Sequence, residues 1–527
     1  LNATDINRAL TTETLLALHA AGVRTICVCP GGRNAPLVMA CDAARASFDI
    51  ISFFEERSAG FFAVGRIRRD RAPVAVITTS GTAAAELLPA MLEAHYSGLP
   101  LIAVTADRPK HLRGTGAPQT IEQPPLFASC RPALTDADAP GQIGVLPAIN
   151  GPVHLNICFG EPLLDGTFEL PDLGQPPARR APELWMDEAT ARAACDDFFG
   201  SVRNPLVLVS SLDHDDAGAL APWLASLVCP LYLEAISQLR GHKNLQEFSL
   251  HSGERILLTP ECGRAIDGIL RIGGVPTPGF WRGAEAGERP VLHISRLPFP
   301  GMGRVSPVVP IPHFLALADR YAIPGGKNEP LFDRDRKAAA AWAGMLHAEP
   351  QSEAALVKLL ADQLPPDARV FLGNSLPIRE WDQVAPRHAD DRIYHANRGV
   401  NGIDGLVSSA LGLAGTDRPA AAVLGDLSAM YDLAGLWPAT QLPGGDFTLA
   451  VINNGGGMIF DRMFKHPAFL NPHALQLRGW AEMFGWHYGV VRSASDPWPP
   501  GTPRLIEVIP DAAATKRLAE CSATLWR

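Results

Sequence analysis

The 527-residue sequence has no uninterrupted apolar run of 18 or more residues, so no ordinary membrane-spanning helix is expected. It also lacks a block of lysine and arginine: its 46 basic residues are scattered and outnumbered by 55 acidic ones, for a formal net charge of −9. A nucleic-acid backbone would find no electrostatic track, and no such partner is expected. Cysteines number only nine, and the one close pair, Cys27 and Cys29, has a spacing that suits neither thioredoxin chemistry nor zinc. They read as reduced, mostly buried thiols. The 15 histidines form no metal-ligand pattern. No G-x-G-x-x-G follows a strand with an acidic residue about 20 positions on, which ranks a nucleotide-dependent oxidoreductase last. The start, Leu1 to Arg8, lacks the basic-then-apolar order of a signal peptide, so a cytoplasmic address is expected.

What the sequence does have is material for a core. Hydrophobic residues make up 47% and charged residues 19%, a balance that argues against extended disorder and for about three domains of ~150 residues. Arg24–Cys29, Pro73–Thr79 and Leu99–Thr105 are short, continuously apolar and rich in β-formers, as strands buried on both faces of a parallel sheet must be. Asn7–Ala21 and Ala83–Tyr96 between them have helical spacing. Proline- and glycine-rich breaks at Pro171–Pro182 and Pro324–Pro330 bound a middle segment with a strand signal at Pro205–Val209, and a helical run, Lys337–Leu364, follows. The reading is α/β, with three doubly wound parallel-sheet domains over residues 1–175, 183–325 and 333–527. The first and third echo each other: Pro73–Thr79 enters Ser80-Gly81-Thr82, a helix and the next strand, just as Ala420–Leu424 enters Gly425-Asp426-Leu427-Ser428, a helix and Phe447–Ile452.

Gly425-Asp426 and Asn453-Asn454 each end a predicted strand, and in a parallel sheet both would reach the carboxyl edge where ligands of open α/β sheets bind. A carboxylate and an amide oxygen converging there make a hard-oxygen site for Mg²⁺, which commonly bridges a protein to a diphosphate. Glycines allow backbone to approach the phosphates, and the following helix offers its N-terminus.

This pair resembles the signature of thiamine diphosphate-dependent enzymes, with Leu427 where the third motif residue is often glycine. Within that superfamily the sequence is similar to the MenD family of 2-succinyl-5-enolpyruvyl-6-hydroxy-3-cyclohexene-1-carboxylate synthases, transferases of menaquinone biosynthesis. The residues that carry the resemblance are Pro30–Pro36, Phe54–Arg57, Thr79–Thr82, Thr105–Pro109, Gly116–Gln119, Gly373–Ser375, Asn397–Gly405 and Gly425–Leu433. It implies a pyrimidine-binding first domain, a transhydrogenase-like middle domain and a diphosphate-binding third domain. Thiamine diphosphate would be the cofactor, with Mg²⁺, or Mn²⁺ in its place, held by Asp426, Asn454 and the Gly456 carbonyl; Thr82, Gly425 and Ser428 would complete the cofactor site. Glu56 would hydrogen-bond the aminopyrimidine ring from a poorly solvated pocket that raises its pKa, while Glu55 would point the other way in an extended segment. Ile403 would wedge between the coenzyme rings.

The resemblance also implies the reaction: decarboxylation of 2-oxoglutarate, then conjugate addition of the resulting carbanion to isochorismate. Ser375, Arg379 and Arg398 would serve the donor, since planar guanidinium forks suit its remaining carboxylate. Arg33, Arg108 and Gln119 would contact the acceptor, and Ile459 and Phe460 would wall the reacting carbon on a closing loop. Active sites between subunits of a homodimer or homotetramer are implied. Asp107 is placed either to orient Arg108 or to cap the chain turn, and His395 and His466 lie near the implied site. Two positions depart from the family pattern: Gly32 stands where serine is usual, and Gly279-Phe280 where a lysine, often followed by arginine, faces the acceptor. Arg282 is the nearby cation that could substitute. These departures leave a different acceptor as the alternative reading. A catalytically silent binding protein is disfavoured by the intact Glu56, Asp426, Asn454, Arg379 and Arg398.

Overall fold

The computed structural model describes residues 2–148, 151–164, 166, 173–174, 183–301, 306–323, 325–326, 328–387, 391–442 and 444–525. Most of Pro171–Pro182, with Pro324 and Lys327 of the second break, lies outside them.

The apolar runs become strands of three sheets. The first contains β1 (Thr25–Val28), β2 (Asp49–Ser52), β3 (Val74–Thr78), β4 (Leu101–Asp107), β5 (Ala133–Ala137) and β6 (Val153–Cys158). The second contains β7 (Pro205–Val209), β8 (Leu231–Leu233), β9 (Gly268–Ile272), β10 (Val291–Ser295) and β11 (Val308–Pro310). The third contains β12 (Arg369–Leu372), β13 (Ile393–His395), β14 (Ala420–Gly425), β15 (Phe447–Ile452), β16 (His487–Val491) and β17 (Arg504–Val508). Every pairing is parallel. All residues of β3, β4, β6, β7, β9, β10 and β15 are buried, as strands covered on both faces require.

Strand order gives the echo between first and third sheets physical content. The first runs β2-β1-β3-β4-β6-β5 and the third β13-β12-β14-β15-β17-β16. Numbered from its own first strand, each has the same order. The middle sheet, β11-β10-β9-β7-β8, reads 2-1-3-4-5 from its β8 edge, a common doubly wound order that shares its first four places with the other two sheets.

Two helical runs are interrupted. Lys337–Leu364 belongs to two helices, Glu329–Ala348 and Glu353–Gln363. Pro350 between them has no N–H to continue the first, and Ser352 caps the second by accepting from the Ala355 N–H. Ala83–Tyr96 likewise divides into Thr82–Ala85 and Leu88–Ser97, with Pro89 in the first turn of the second.

The chain packs as two compact units: Leu1–Glu183 with Gly399–Ala414 and Ser428–Pro443, and Leu184–Arg398 with Gly415–Leu427 and Gly444–Arg527. Inside the first, the helices Glu56–Asp70 and Leu406–Gly412 touch backbone to backbone. A Cβ on Gly65 would lie 1.9 Å from the Ser409 carbonyl oxygen, and one on Gly412 2.3 Å from that of Phe62. Gly412→Ala should therefore cost about 2 kcal/mol or more by overpacking. Gly344→Ala, on a helix where nothing lies within 4 Å, should gain ~0.5–1 kcal/mol. Thermal unfolding of the two variants measures the contrast.

Candidate active site

A parallel strand delivers its carboxyl end to the same edge as its neighbours, and the candidate residues collect at those edges. In the first sheet, Arg33 follows β1, Glu56 follows β2, Thr82 follows β3 and Arg108 follows β4. In the third, the spatial order β13-β12-β14-β15 sets out Arg398, then Ser375 and Arg379, then Asp426, then Asn454.

Glu56 opens the helix Glu56–Asp70 and is half-buried. Burial lifts its pKa above the usual carboxylate value, helped by the charges of Glu55 and Glu86 and opposed by a backbone hydrogen bond. The segment does not stay extended through Glu56. Glu55 is instead the N-cap, accepting from the N–H groups of Arg57 and Ser58 at 3.2 and 2.9 Å and from the Ser58 hydroxyl. The two glutamates thus divide their work: Glu55 is spent on the helix end, and Glu56 is left free of it. Behind them the buried Asp432 accepts from the Ser408 N–H and hydroxyl, with Ser58 Oγ 3.3 Å from its Oδ1, and burial pushes its pKa up to about 6. Ile403, half-buried, lies in the segment leading into the helix Leu406–Gly412; Ser428 is buried in the same unit.

The acceptor candidates are less free than the sequence implies. Arg33 is buried, and its guanidinium donates to the Phe159 carbonyl at 3.0 Å and to Glu161 at 2.8 Å. Arg108 donates from Nε to the Pro118 carbonyl at 2.7 Å. Asp107 does cap the turn, accepting from the Arg108 N–H, but its ion pair is with Arg113, whose Nη2 lies 2.9 Å from Oδ2. Arg113 also binds Asp136, and these hydrogen bonds overcome burial to hold the Asp136 carboxyl down at about 2. Gln119, exposed and with φ of 54°, hydrogen-bonds the Ser80 carbonyl, so it lies beside the turn that presents the exposed Thr82.

At β14 and β15, Asp426 Oδ2 accepts from the Gly455 and Gly456 N–H groups at 2.9 and 3.0 Å, while Oδ1 accepts from Leu427 N–H. Its pKa is raised because burial outweighs those donors. Gly456 has φ of 147°, and a Cβ there would sit 2.4 Å from the Leu470 carbonyl, so no larger residue fits the turn. The Asn454 amide nitrogen donates to both oxygens of Glu353, and its Oδ1 is buried without a hydrogen-bond partner among the described residues. Such an orphaned oxygen beside a carboxylate fits a hard cation. Among the described residues no group of three or more His, Cys, Asp or Glu could hold a metal, so a cation here would complete its shell with carbonyl and ligand oxygens. His473, unforeseen in the sequence, places Nε2 3.3 Å from Asp426 Oδ2. His466 instead accepts from the Ala468 N–H, and His395 ends β13.

Ser375, Arg379 and Arg398 come together around β12. Ser375 has φ of 74°, and its carbonyl accepts from Arg379 Nη1 at 2.6 Å; Arg398 Nη1 donates to Asn374 Oδ1 at 2.8 Å. Buried Glu234, not singled out in the sequence, accepts from Ser210 Oγ and from the Thr277 N–H and hydroxyl. Burial and the charge of Asp382 push it up to about 8, with Arg398 acting in the opposite sense. Ile459 and Phe460 open the helix Ile459–Phe464, whose Arg462 donates to buried Glu380 at 2.8 Å.

Comparison with known proteins decides among the families this geometry allows. Residues 10–126 match the model described as the thiamine pyrophosphate enzyme, N-terminal TPP binding domain. Proteins named 2-succinyl-5-enolpyruvyl-6-hydroxy-3-cyclohexene-1-carboxylate synthase match over nearly the whole chain: one from Bdellovibrio bacteriovorus is 40% identical, covering 92% of this chain and 91% of its own. Another from Akkermansia muciniphila is 35% identical, with 93% and 94% covered, and one from Chloroflexus aurantiacus is 34% identical, with 90% and 87%. The chain belongs to this synthase family. Gly32 and Gly279 are sterically open, because a Cβ on either would meet nothing within 4 Å among the described residues. The Gly279 N–H hydrogen-bonds Glu254, whose charge acts on Arg379, and Arg282 acts on Arg379 too.

Glu234 yields a pH prediction. Its folded-state pKa, about 8, exceeds the unfolded value of ~4.3, so its proton favours the fold. This contribution is complete below pH ~4 and is lost as pH rises through 8. Between pH 7 and 9 the wild-type Tm should fall by roughly 2–4 °C more than that of Glu234→Gln. Equal slopes would place the proton elsewhere.

Proposed function

We propose that this chain decarboxylates 2-oxoglutarate and joins the remaining four-carbon unit to isochorismate by conjugate addition, using thiamine diphosphate and Mg²⁺. The observation that carries the reading is the order of functional groups along the third sheet: two arginines for a carboxylate at β13 and β12, then a carboxylate and an orphaned amide oxygen for a cation at β14 and β15. Thiamine diphosphate, when bound, supplies the electron sink for losing CO₂ from a 2-oxo acid.

This chain's own residues would orient, neutralise and desolvate. Asp426, Asn454 and the Gly456 carbonyl would hold Mg²⁺ against the diphosphate, with Gly425 and Ser428 lining its approach and Thr82 contributing from the first sheet. Arg379 and Arg398 would pair with the donor's distal carboxylate, and Ser375 would bond its reacting end. Burial lowers the pKa of Arg379 from its usual value, so an anionic partner is favoured there. Glu56, held above its usual pKa, would share a proton with the coenzyme's pyrimidine nitrogen, and Ile403 would support the folded coenzyme. Arg33, Arg108 and Gln119 would receive the acceptor; for Arg33 this requires exchanging Glu161, whose side chain is 69% exposed, for a substrate carboxylate. Ile459 and Phe460 would exclude water from the reacting carbon.

The proposed divisions are a pyrimidine-binding domain over 1–175, a middle domain over 183–325 and a diphosphate-binding domain over 333–527. The proposed assembly is a cytoplasmic homodimer or homotetramer with sites shared between subunits. The exposed Phe460, Met463, Phe464 and Phe469, three of them stacked in sequence, suit a surface that is covered in such an assembly or on closure.

CO₂ release from 2-oxoglutarate with thiamine diphosphate and Mg²⁺ tests the reading. Isochorismate should accelerate release, and Glu56→Gln should lower turnover by about 10²–10⁴-fold. Release that isochorismate never accelerates would favour the second reading, a different acceptor, for which Gly32 and Gly279 are the motive. Arg282→Ala should raise the isochorismate KM about tenfold or more with little change in kcat if Arg282 replaces the missing lysine; an unchanged KM would reject that substitution.

A further inference from the structure

Glu353 belongs to none of the motifs that carry the family resemblance, yet it touches one of the proposed cation ligands. It occupies the first position of the helix Glu353–Gln363 and is 3% exposed. Its backbone N–H donates to Thr515 Oγ1 at 3.0 Å, fixing the helix start. Both carboxylate oxygens accept from Asn454 Nδ2, each at 3.1 Å. Glu380, also buried, stands beside it and accepts from Arg462.

A primary amide is nearly symmetric in shape, but its two ends are opposite in hydrogen-bonding sense. Turned one way Asn454 offers a cation an oxygen; turned the other way it offers an NH₂ group that a cation repels. Among the described residues nothing hydrogen-bonds Asn454 Oδ1. The contact with Glu353 therefore selects between the two orientations: both of its oxygens already accept from the amide nitrogen, a pair of bonds that the amide oxygen could not replace.

We propose that Glu353 is a positioning residue for cation binding, holding the Asn454 amide with its oxygen toward the site formed with Asp426 and the Gly456 carbonyl. The inference rests on the reading of those three groups as the Mg²⁺ holders. Glu353 would act through Asn454, whose amide nitrogen donates to both of its oxygens, with Glu380 hydrogen-bonded beside it. Groups that orient ligands in this way typically account for 10–100-fold in metal affinity.

The test is calorimetric titration of Mg²⁺ into the full-length protein with saturating thiamine diphosphate, comparing wild type with Glu353→Gln, Glu353→Met and Glu353→Ala. Met and Ala should weaken Mg²⁺ binding 10–100-fold, while each melts like wild type before cofactor is added. Gln, which still presents an amide oxygen to Asn454 Nδ2, should stay close to wild type. The same variants should need more Mg²⁺ for half-maximal activity yet keep the 2-oxoglutarate KM at saturating Mg²⁺. Wild-type affinity in Met or Ala would overturn the proposal, as would Gln binding as weakly as Ala, which would make the charge itself a ligand. Loss of the fold in both apolar variants would assign Glu353 to structure alone. A wild type without Mg²⁺-dependent binding would instead reject the cation reading on which the proposal stands.

Discussion

Parallel pairing constrains everything else here. Because each strand of a parallel sheet ends at the same edge as its neighbours, residues remote in sequence become adjacent in an order set by topology. The third sheet converts the chain order Ser375, Arg398, Asp426, Asn454 into the spatial order Arg398, Ser375, Asp426, Asn454, because β13 lies outside β12. That exchange separates function along the edge, with cations at one end and hard-oxygen donors at the other. The first sheet has the same strand order, yet its ends carry Arg33, Glu56, Thr82 and Arg108. One topology thus presents two different chemistries.

Crowding charge at strand ends has an energetic consequence, since a buried ion must find compensation or change its protonation state. The strand ends show both outcomes. Asp136, given Arg113, stays ionised down to about 2. Glu234 and Asp432, held by hydroxyl and amide donors with Arg398 and Arg57 acting on them only through charge, are pushed up to about 8 and about 6. At Asp136 the guanidinium contact outweighs desolvation, whereas the neutral donors of Glu234 and Asp432 do not. By the same reasoning, Asp426, which has only amide donors and a nearby histidine, is a carboxylate still short of positive charge.

Much of this was legible in the sequence because it is local. Continuous apolar runs mark strands buried on both faces, and the turn motifs Gly425-Asp426 and Asn453-Asn454 sit within a residue or two of the strands that place them. The signals that failed were those that depend on a neighbour distant in the chain. Glu353 meets Asn454 across 101 positions, and Glu234 meets Thr277 across 43. Neither spacing is a motif, and each glutamate alone resembles an ordinary helix or loop charge. Glu55 failed for a different reason: alternation along an extended segment assigns it the opposite face from Glu56, but the chain turns helical between them, and a carboxylate at that boundary is drawn to the free N–H groups of the first turn. Pro350 and Ser352, by contrast, spelled out a helix break that apolar periodicity had masked.

The acceptor side follows from how cations are distributed. A lysine at position 279 would project from the start of the helix Phe280–Ala286, where the backbone N–H already hydrogen-bonds Glu254. With glycine there, Glu254 has Arg379 and Arg255 as its neighbouring cations, while Arg282, one turn along the same short helix, acts electrostatically on Arg379. Arg282 also lies over the Trp281 ring, 5.9 Å from its centroid. A guanidinium with one face on an aromatic ring keeps its edge available for a carboxylate, and unlike an ammonium it can bind one with two parallel hydrogen bonds. A carboxylate approaching this corner edge-on would therefore meet a planar fork at Arg282, one helical turn from Gly279.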